Sequence, residues 1–205
     1  MGRRDCSESP HESNMWKYPN PRGGWEEVKR QFGENSEYGF TAREIVALIG
    51  GAHSMGDCSL ENSGFEHPWD LTIFTADANY VRQMGRDQFY SRENAAGNHQ
   101  WYRNSDEDNN VPDVMMNLNT DFALIKNFTI ADESTGEVSD SCRTDSRNCK
   151  DNQETVGLFE RYQEQGVGNE NLFVDFVEVY YKMLNKGYSE NEIFLAPKPS
   201  DGMSW

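Results

Sequence analysis

A single histidine, flanked by two distinctive runs of residues, is where this sequence could carry chemistry. The first run extends from Thr41 through Ala-Arg-Glu-Ile-Val-Ala-Leu-Ile-Gly-Gly-Ala to His53, and the second, Ser-Gly-Phe-Glu-His-Pro-Trp, ends at Trp69. A neutral imidazole can bind a metal through one ring nitrogen when a hydrogen bond to the other nitrogen fixes the tautomer. A lone histidine after a helix can also be purely structural. The hypothesis of a metal or cofactor ligand therefore depends on the residues that accompany His53.

The element that must position His53 is the helix just before it. Thr41 and Glu44 form a capping box, in which each side chain accepts a hydrogen bond from the backbone N–H of the other residue. Apolar residues then recur on one face, which predicts a helix over Ala42–Ile49. We expect the pair Gly50-Gly51 to end this helix. His53 would then lie just past the helix end.

Five further helices are indicated by apolar periodicity and capping residues. The strongest covers Glu170–Lys186, where seven apolar residues form one stripe and Gly187 follows as the C-cap. Strand signals are weak throughout. The predicted class is therefore mainly α, with at most a small β-hairpin. The other predicted helices are Trp25–Phe32, Ala76–Met84, Asp121–Lys126 with Thr120 as its N-cap, and Glu154–Gln165.

The polar stretches divide the chain into an arm, a helical domain and a tail. Residues 1–24 are rich in proline and glycine and are expected to form an irregular N-terminal arm. Residues 25–190 form the helical domain, and residues 191–205 are left as a C-terminal tail. Two long polar loop insertions interrupt the domain at about 85–112 and 129–152.

Composition narrows the classes of partner. The net charge of -16 would repel phosphate backbones and anionic lipid surfaces, so nucleic acid is not an expected partner. Apolar runs are too short for a membrane-spanning helix, although peripheral attachment to a membrane complex stays open. The apolar fraction of 36% is low for a globular protein, which suggests a core that a partner completes.

The cysteines allow more than one arrangement. Cys142 and Cys149 flank a short polar loop that a disulfide could close, and free thiols are the alternative. Zinc binding is disfavoured because the spacing is wrong for a zinc knuckle and no histidine lies nearby in sequence.

Three separated segments resemble, in order and spacing, the proximal half of a plant-type haem peroxidase. The first segment is the run from Thr41 to His53, continued by Ser-Met-Gly to Gly56. The others are the run that ends at Trp69 and the segment Met-Met-Asn-Leu-Asn-Thr-Asp that ends at Asp121. The residues of these segments are most similar to those of the class I branch, which comprises ascorbate and cytochrome c peroxidases. The resemblance implies the proximal domain of the haem peroxidase fold, with His53 as the iron ligand. It also implies that Asp121 is the carboxylate that accepts the Nδ1 proton and that Trp69 packs on the imidazole, although Trp69 could equally be retained for core packing.

The same resemblance suggests a cation site beside the proximal histidine. Ser54, Asp70, Thr72 and Asp77 fall at the positions where the family uses hydroxyl and carbonyl oxygens, so a monovalent or calcium ion is a candidate ligand. A solvated acidic loop is the alternative interpretation. The sequence departs from the family pattern shortly after His53. Asp57, Cys58 and Ser59 occupy the positions at which relatives bind the haem propionates. A carboxylate there would repel a propionate.

The family's distal half is not found upstream. That half carries an arginine, an aromatic residue and a histidine on one helix, and none of this pattern occurs in the 52 residues before His53. His11, the only histidine in that stretch, is expected to be a surface residue. No catalytic residues are therefore expected in this chain.

These observations favour an inactive, ascorbate peroxidase-like accessory subunit with no bound cofactor. Its former haem-side face would pack against other protein subunits, for example in an organellar membrane complex such as a photosystem. By analogy we expect a plastid, in the thylakoid lumen or stroma, rather than a mitochondrion, although no targeting segment is visible. The alternative is a peroxidase that binds haem b and reduces hydrogen peroxide, whose distal half is supplied by another chain or is missing from this sequence.

Overall fold

The computed structural model describes residues 2–3, 18–103, 115–139, 141–187 and 193–194 of the chain. Helices dominate this part, and the longest, α8, has 17 residues. Parts of the predicted N-terminal arm, including His11 and Cys6, and almost all of the predicted tail lie outside the described residues. The helices are α1 Trp25–Phe32, α2 Ala42–Ala52, α3 Leu60–Ser63, α4 Asn79–Arg86, α5 Asn119–Phe122, α6 Ser141–Thr144, α7 Val156–Gln163 and α8 Gly168–Leu184.

Short antiparallel strands connect the helices. Strands β4, β5 and β6 form a three-stranded sheet in that order, and the remaining strands form two-stranded ribbons that pair β1 with β11, β2 with β3, β7 with β10 and β8 with β9. The strands are β1 Gly2–Arg3, β2 Asp57–Cys58, β3 His67–Pro68, β4 Phe89–Glu93, β5 His99–Arg103, β6 Met116–Asn117, β7 Lys126–Asn127, β8 Ile130–Asp132, β9 Glu137–Val138, β10 Lys150–Asp151 and β11 Ile193–Phe194.

The mainly α class is confirmed, but the strands exceed the single hairpin that was predicted. Strand β5 is buried on both faces, at His99, Gln100, Trp101 and Tyr102. It therefore lacks the alternation of polar and apolar residues along the chain that marks a half-exposed strand. The stretch 85–112, predicted as a polar insertion, therefore contains two paired strands. The stretch 129–152 likewise contains a hairpin and the short helix α6.

The glycine pair in α2 does not end the helix. The capping box of Thr41 and Glu44 forms as predicted, and the helix then continues through both glycines to Ala52. A Cβ atom at Gly51 would overlap the ring of Phe176 on α8. The glycines are thus explained by the close approach of a neighbouring helix rather than by a turn.

Polar contacts hold α8 against α2 and α7. The guanidinium of Arg43 on α2 donates two hydrogen bonds, of 2.8 and 2.6 Å, to the carboxylate of Asp175 on α8. The hydroxyl of Tyr162 on α7 donates to the same carboxylate at 2.6 Å. Arg43 is the second residue of α2, so these bonds hold the start of the helix, while the contact of Gly51 with Phe176 lies near the end that carries His53.

Within the described residues, no helix combines the length and the apolar character that crossing a bilayer requires.

Replacing Gly51 tests whether close packing of α2 on α8 positions the end of α2. We expect Gly51→Ala to lower the free energy of unfolding by about 2 kcal/mol, because the added methyl group overpacks the Phe176 contact. Gly157→Ala on α7 is the matched control, since nothing lies within 4 Å of the added Cβ. The control should raise the free energy of unfolding by about 0.5 to 1 kcal/mol, since alanine is the better helix former. Urea denaturation measures both, and equal changes would contradict the packing explanation.

Candidate functional site

His53 is the C-cap residue of α2, and its two ring nitrogens face different surroundings. Its backbone N–H donates to the Ile49 carbonyl at 2.9 Å, which completes the last turn of the helix. The side chain is 22% exposed. Nδ1 is buried, whereas Nε2 is accessible and has no hydrogen-bond partner among the described residues. The imidazole therefore presents one nitrogen to the protein and offers the other for a ligand.

Trp69 packs flat on this imidazole. The two ring centroids are 4.1 Å apart and the planes are inclined by 14°. The chain leaves His53, forms β2, and returns as β3, in which Cys58 pairs with His67 just before Trp69. This short ribbon brings the second run of the sequence back onto the end of α2.

Asp121 is the third residue of the group, and its carboxylate faces Nδ1 of the imidazole. Its Oδ2 atom accepts hydrogen bonds of 2.9 Å from the Trp69 indole and from the backbone N–H of Leu118. Its Oδ1 atom lies 3.5 Å from Nδ1 of His53, which is longer than an ordinary hydrogen bond. The predicted helix start is shifted here, since Leu118 rather than Thr120 is the N-cap of α5. The structure thus brings His53, Trp69 and Asp121 together as one cluster.

Burial controls the charges of this cluster. It lowers the pKa of His53, although the Asp121 carboxylate opposes this shift. Burial also raises the pKa of Asp121, against the combined effect of His53, the Leu118 N–H and the Trp69 indole. His53 is therefore neutral at pH 7, which is the state in which an imidazole binds a metal.

Tyr80 is a fourth member of the cluster that sequence reasoning missed. Its ring meets the imidazole of His53 edge-on, with centroids 5.7 Å apart. It is fully buried, and none of the residues that the structure describes is a hydrogen-bond partner of its hydroxyl. Burial and the charge of Asp121 raise the pKa of this hydroxyl well above its ordinary range. An aromatic residue on the inner face of a helix gives the same sequence signal as any core residue, so no pattern singled it out.

The predicted cation loop is assembled only in part. Oδ1 of Asp70 accepts hydrogen bonds of 2.6 and 2.7 Å from the backbone N–H and the hydroxyl of Thr72. Oδ2 is buried and has no hydrogen-bond partner among the residues described. Asp77 lies within 3.2 Å of the same hydroxyl. The hydroxyl of Ser54, however, donates to the Gly51 carbonyl at 2.7 Å. In the described part of the chain, no three His, Cys, Asp or Glu side chains converge as a metal site would require.

The residues that follow His53 in sequence offer no positive charge to a haem propionate. Asp57 and Ser59 are exposed and Cys58 is half-buried on the β2–β3 ribbon. Burial raises the pKa of the Cys58 thiol to about 11, so the sulfur is a neutral thiol at pH 7.

Cys142 and Cys149 form a disulfide, which lies apart from His53. It closes the loop between α6 and a 3₁₀ turn at Ser146–Asn148. The hydroxyl of Ser146 accepts the Phe89 N–H at 2.9 Å, which fastens this loop to strand β4. Among the described cysteines, Cys58 is the free one.

Comparison with known protein families identifies the family of the chain. Residues 1–165 match the peroxidase family, which is most of the chain. The chain therefore belongs to the peroxidase family, and its relatives place it with the class I branch that the sequence motifs resembled.

The relatives are much longer proteins. The chain is 42% identical to the mitochondrial cytochrome c peroxidase of Candida glabrata over 89 residues, which are 42% of the chain and 22% of that protein. It is 31% identical to the mitochondrial cytochrome c peroxidase of Cryptococcus neoformans var. neoformans over 155 residues, or 75% of the chain and 31% of that protein. It is 34% identical to cytosolic L-ascorbate peroxidase 1 of Oryza sativa subsp. indica over 83 residues, or 40% of the chain and 31% of that protein. The chain thus spans about a fifth to a third of these relatives.

The unpartnered Oδ2 of Asp70 predicts how the loop would respond to a cation. Two carboxylates and a hydroxyl favour Ca²⁺ over a monovalent ion. We expect millimolar Ca²⁺ to raise the thermal unfolding midpoint, and Asp70→Asn to remove that rise. Asp132→Asn, on the exposed strand β8, is the control. An equal Ca²⁺ effect in the wild type and both variants would identify nonspecific binding to an acidic protein.

The lowered pKa of His53 predicts a pH-dependent stability. Below the ordinary histidine pKa of about 6.5 the unfolded chain binds a proton that the folded chain does not, so stability is lost as the pH falls. Between pH 7 and pH 5 we expect the wild type to lose more of its free energy of unfolding than His53→Gln does. The matched control is His67→Asn, because asparagine tolerates the positive φ of 80° at that position. The prediction is wrong if urea denaturation gives the wild type and His53→Gln the same pH dependence.

Proposed function

We propose that this chain is the iron-binding, proximal part of a haem-dependent peroxidase, with His53 as the axial ligand. The observation that carries the proposal is the cluster itself. Trp69 stacks on His53 at 4.1 Å and is hydrogen-bonded at 2.9 Å to the carboxylate that faces Nδ1 of the same imidazole. A histidine retained only for core packing would not require a buried carboxylate beside its inner nitrogen.

The residues present fit a haem group. Nε2 of His53 is open, and the ring is neutral because burial lowers its pKa. Asp121 faces the other nitrogen and selects the tautomer in which Nδ1 carries the proton, which leaves the lone pair on Nε2. Haem, when bound, supplies the iron at which a peroxide is reduced.

Each member of the cluster has a distinct task in this proposal. The carboxylate of Asp121, 3.5 Å from Nδ1, attracts a proton on that nitrogen electrostatically and so keeps the lone pair on Nε2. The indole of Trp69 holds Oδ2 of Asp121 and fixes the plane of the imidazole by stacking. The buried edge of Tyr80 blocks rotation of the ring from the side.

The remaining chemistry requires groups beyond those found near His53. Splitting a peroxide needs a base that moves a proton and a cation that stabilises the leaving oxygen, each contributing on the order of a hundredfold or more. In the proposal a further segment or another chain supplies them and covers the open side of the histidine. Exposed apolar side chains near His53 support such a covered face, namely Met55 at 50%, Leu71 at 43% and Phe74 at 93% exposure.

A second candidate function, an inactive accessory subunit, is supported by Asp57. This exposed carboxylate follows His53 closely on β2, where it would oppose a haem propionate. The same apolar face would then be covered by partner subunits instead of a haem pocket. The relatives named above are mitochondrial and cytosolic by name, so they give no support to a plastid in preference to either compartment.

Haem titration distinguishes the two candidates. We expect the purified chain to bind about one haem per molecule, with a Soret band that His53→Gln abolishes and His67→Asn retains. The Asp121→Asn variant should still bind, but with affinity reduced about 10- to 100-fold, because the partner of Nδ1 is weakened. Absence of a histidine-dependent Soret band, both in the chain alone and in the native assembly, would favour the accessory role.

A further inference from the structure

A cavity of about 520 Å³ lies against the β4–β5 hairpin. Its lining residues have no part in the haem-binding proposal. One wall is formed by the hairpin and includes Ser91 and His99. The other wall is formed by Glu137 on β9 and by Arg143 on α6, within the loop that the disulfide closes. Its volume is in the range of pockets that hold small molecules.

Two buried polar groups in this wall have no hydrogen-bond partner within the described part of the chain. They are the hydroxyl of Ser91, in a residue 4% exposed, and Nδ1 of His99, in a residue 8% exposed. The backbone N–H of His99 is already used, since it donates to the Thr135 carbonyl at 2.8 Å. Buried polar side chains in folded proteins are nearly always paired, so two unpaired groups lining one cavity indicate a missing partner.

The charged residues around the cavity indicate which chemical groups a ligand there would carry. Arg143 donates one hydrogen bond of 2.6 Å to Glu137, and its other N–H groups have no partner among the described residues. Arg92 also lines the cavity, but its guanidinium lies over the ring of Tyr102 at 4.3 Å, on the other face of the hairpin from Ser91 and His99. With Glu93 at the exposed rim, the lining offers a ligand the guanidinium of Arg143 and has two carboxylates.

We propose that this cavity binds a small carboxylic acid that also carries a hydroxyl or ammonium group. The carboxylate accepts hydrogen bonds from the free N–H groups of Arg143, the Ser91 hydroxyl and His99. The hydroxyl or ammonium end donates to the rim carboxylate of Glu93. A second negative charge on the ligand is disfavoured, because Glu93 and Glu137 would repel it. This site is independent of the haem-binding proposal.

Binding is tested on the full chain by calorimetry and by ¹H–¹⁵N NMR, with lactate and glycine as probes. Propionate has the carboxylate without the donor group, and inorganic phosphate carries more negative charge. We expect lactate or glycine to bind with a Kd of about 10 mM or tighter and to shift the Ser91 and His99 signals. Propionate should bind more weakly and phosphate should not bind. Overturning results are no binding by either probe at this concentration, or preferential binding of phosphate.

Variants separate this site from a general effect of charge. Arg143→Gln should weaken lactate or glycine binding at least tenfold, whereas Arg147→Gln, in the same disulfide loop but outside the cavity lining, should leave it unchanged. Ser91→Ala should weaken binding several-fold without lowering the thermal unfolding midpoint of the free protein, because it removes an unpaired hydroxyl. Unchanged affinity in both Arg143→Gln and Ser91→Ala would overturn the proposal.

Discussion

The buried carboxylate of Asp121 is the constraint on which the arrangement around His53 depends. It is 2% exposed, so it needs hydrogen bonds to remain stable, and it takes them from the Trp69 indole and the Leu118 N–H. These bonds orient the second oxygen toward Nδ1 of His53. One buried group thus links α2, the β2–β3 ribbon and the start of α5, which are far apart in sequence.

Packing elsewhere keeps that arrangement rigid. The glycines near the end of α2 allow α8 to approach closely, and at the start of α2 Arg43 shares the carboxylate of Asp175 with Tyr162. Rotation or sliding of α2 would break these contacts together. The precision of the site therefore comes from helix packing, while its chemistry comes from three side chains.

The sequence predicted parts of this structure well, for physical reasons that can be named. The capping box of Thr41 and Glu44 is a local interaction, so it was readable directly. The helix end at Gly50-Gly51 was predicted wrongly, because the reason for Gly51 is the ring of Phe176, more than a hundred residues away in sequence. Strand β5 was missed since burial on both faces leaves no alternating signal, and Tyr80 was missed because its position on the inner face of α4 gives the same signal as any core residue. His53, Trp69 and Asp121 do lie together, while their role in binding haem stays a prediction.

The most direct test of this account is the tautomer of His53, measured by ¹⁵N NMR on the haem-free chain at pH 7. The account predicts a neutral ring with the proton on Nδ1, which leaves Nε2 free to bind iron. A ring protonated on Nε2, or a charged imidazolium, would contradict it, because Asp121 would then not set the state of the ligand.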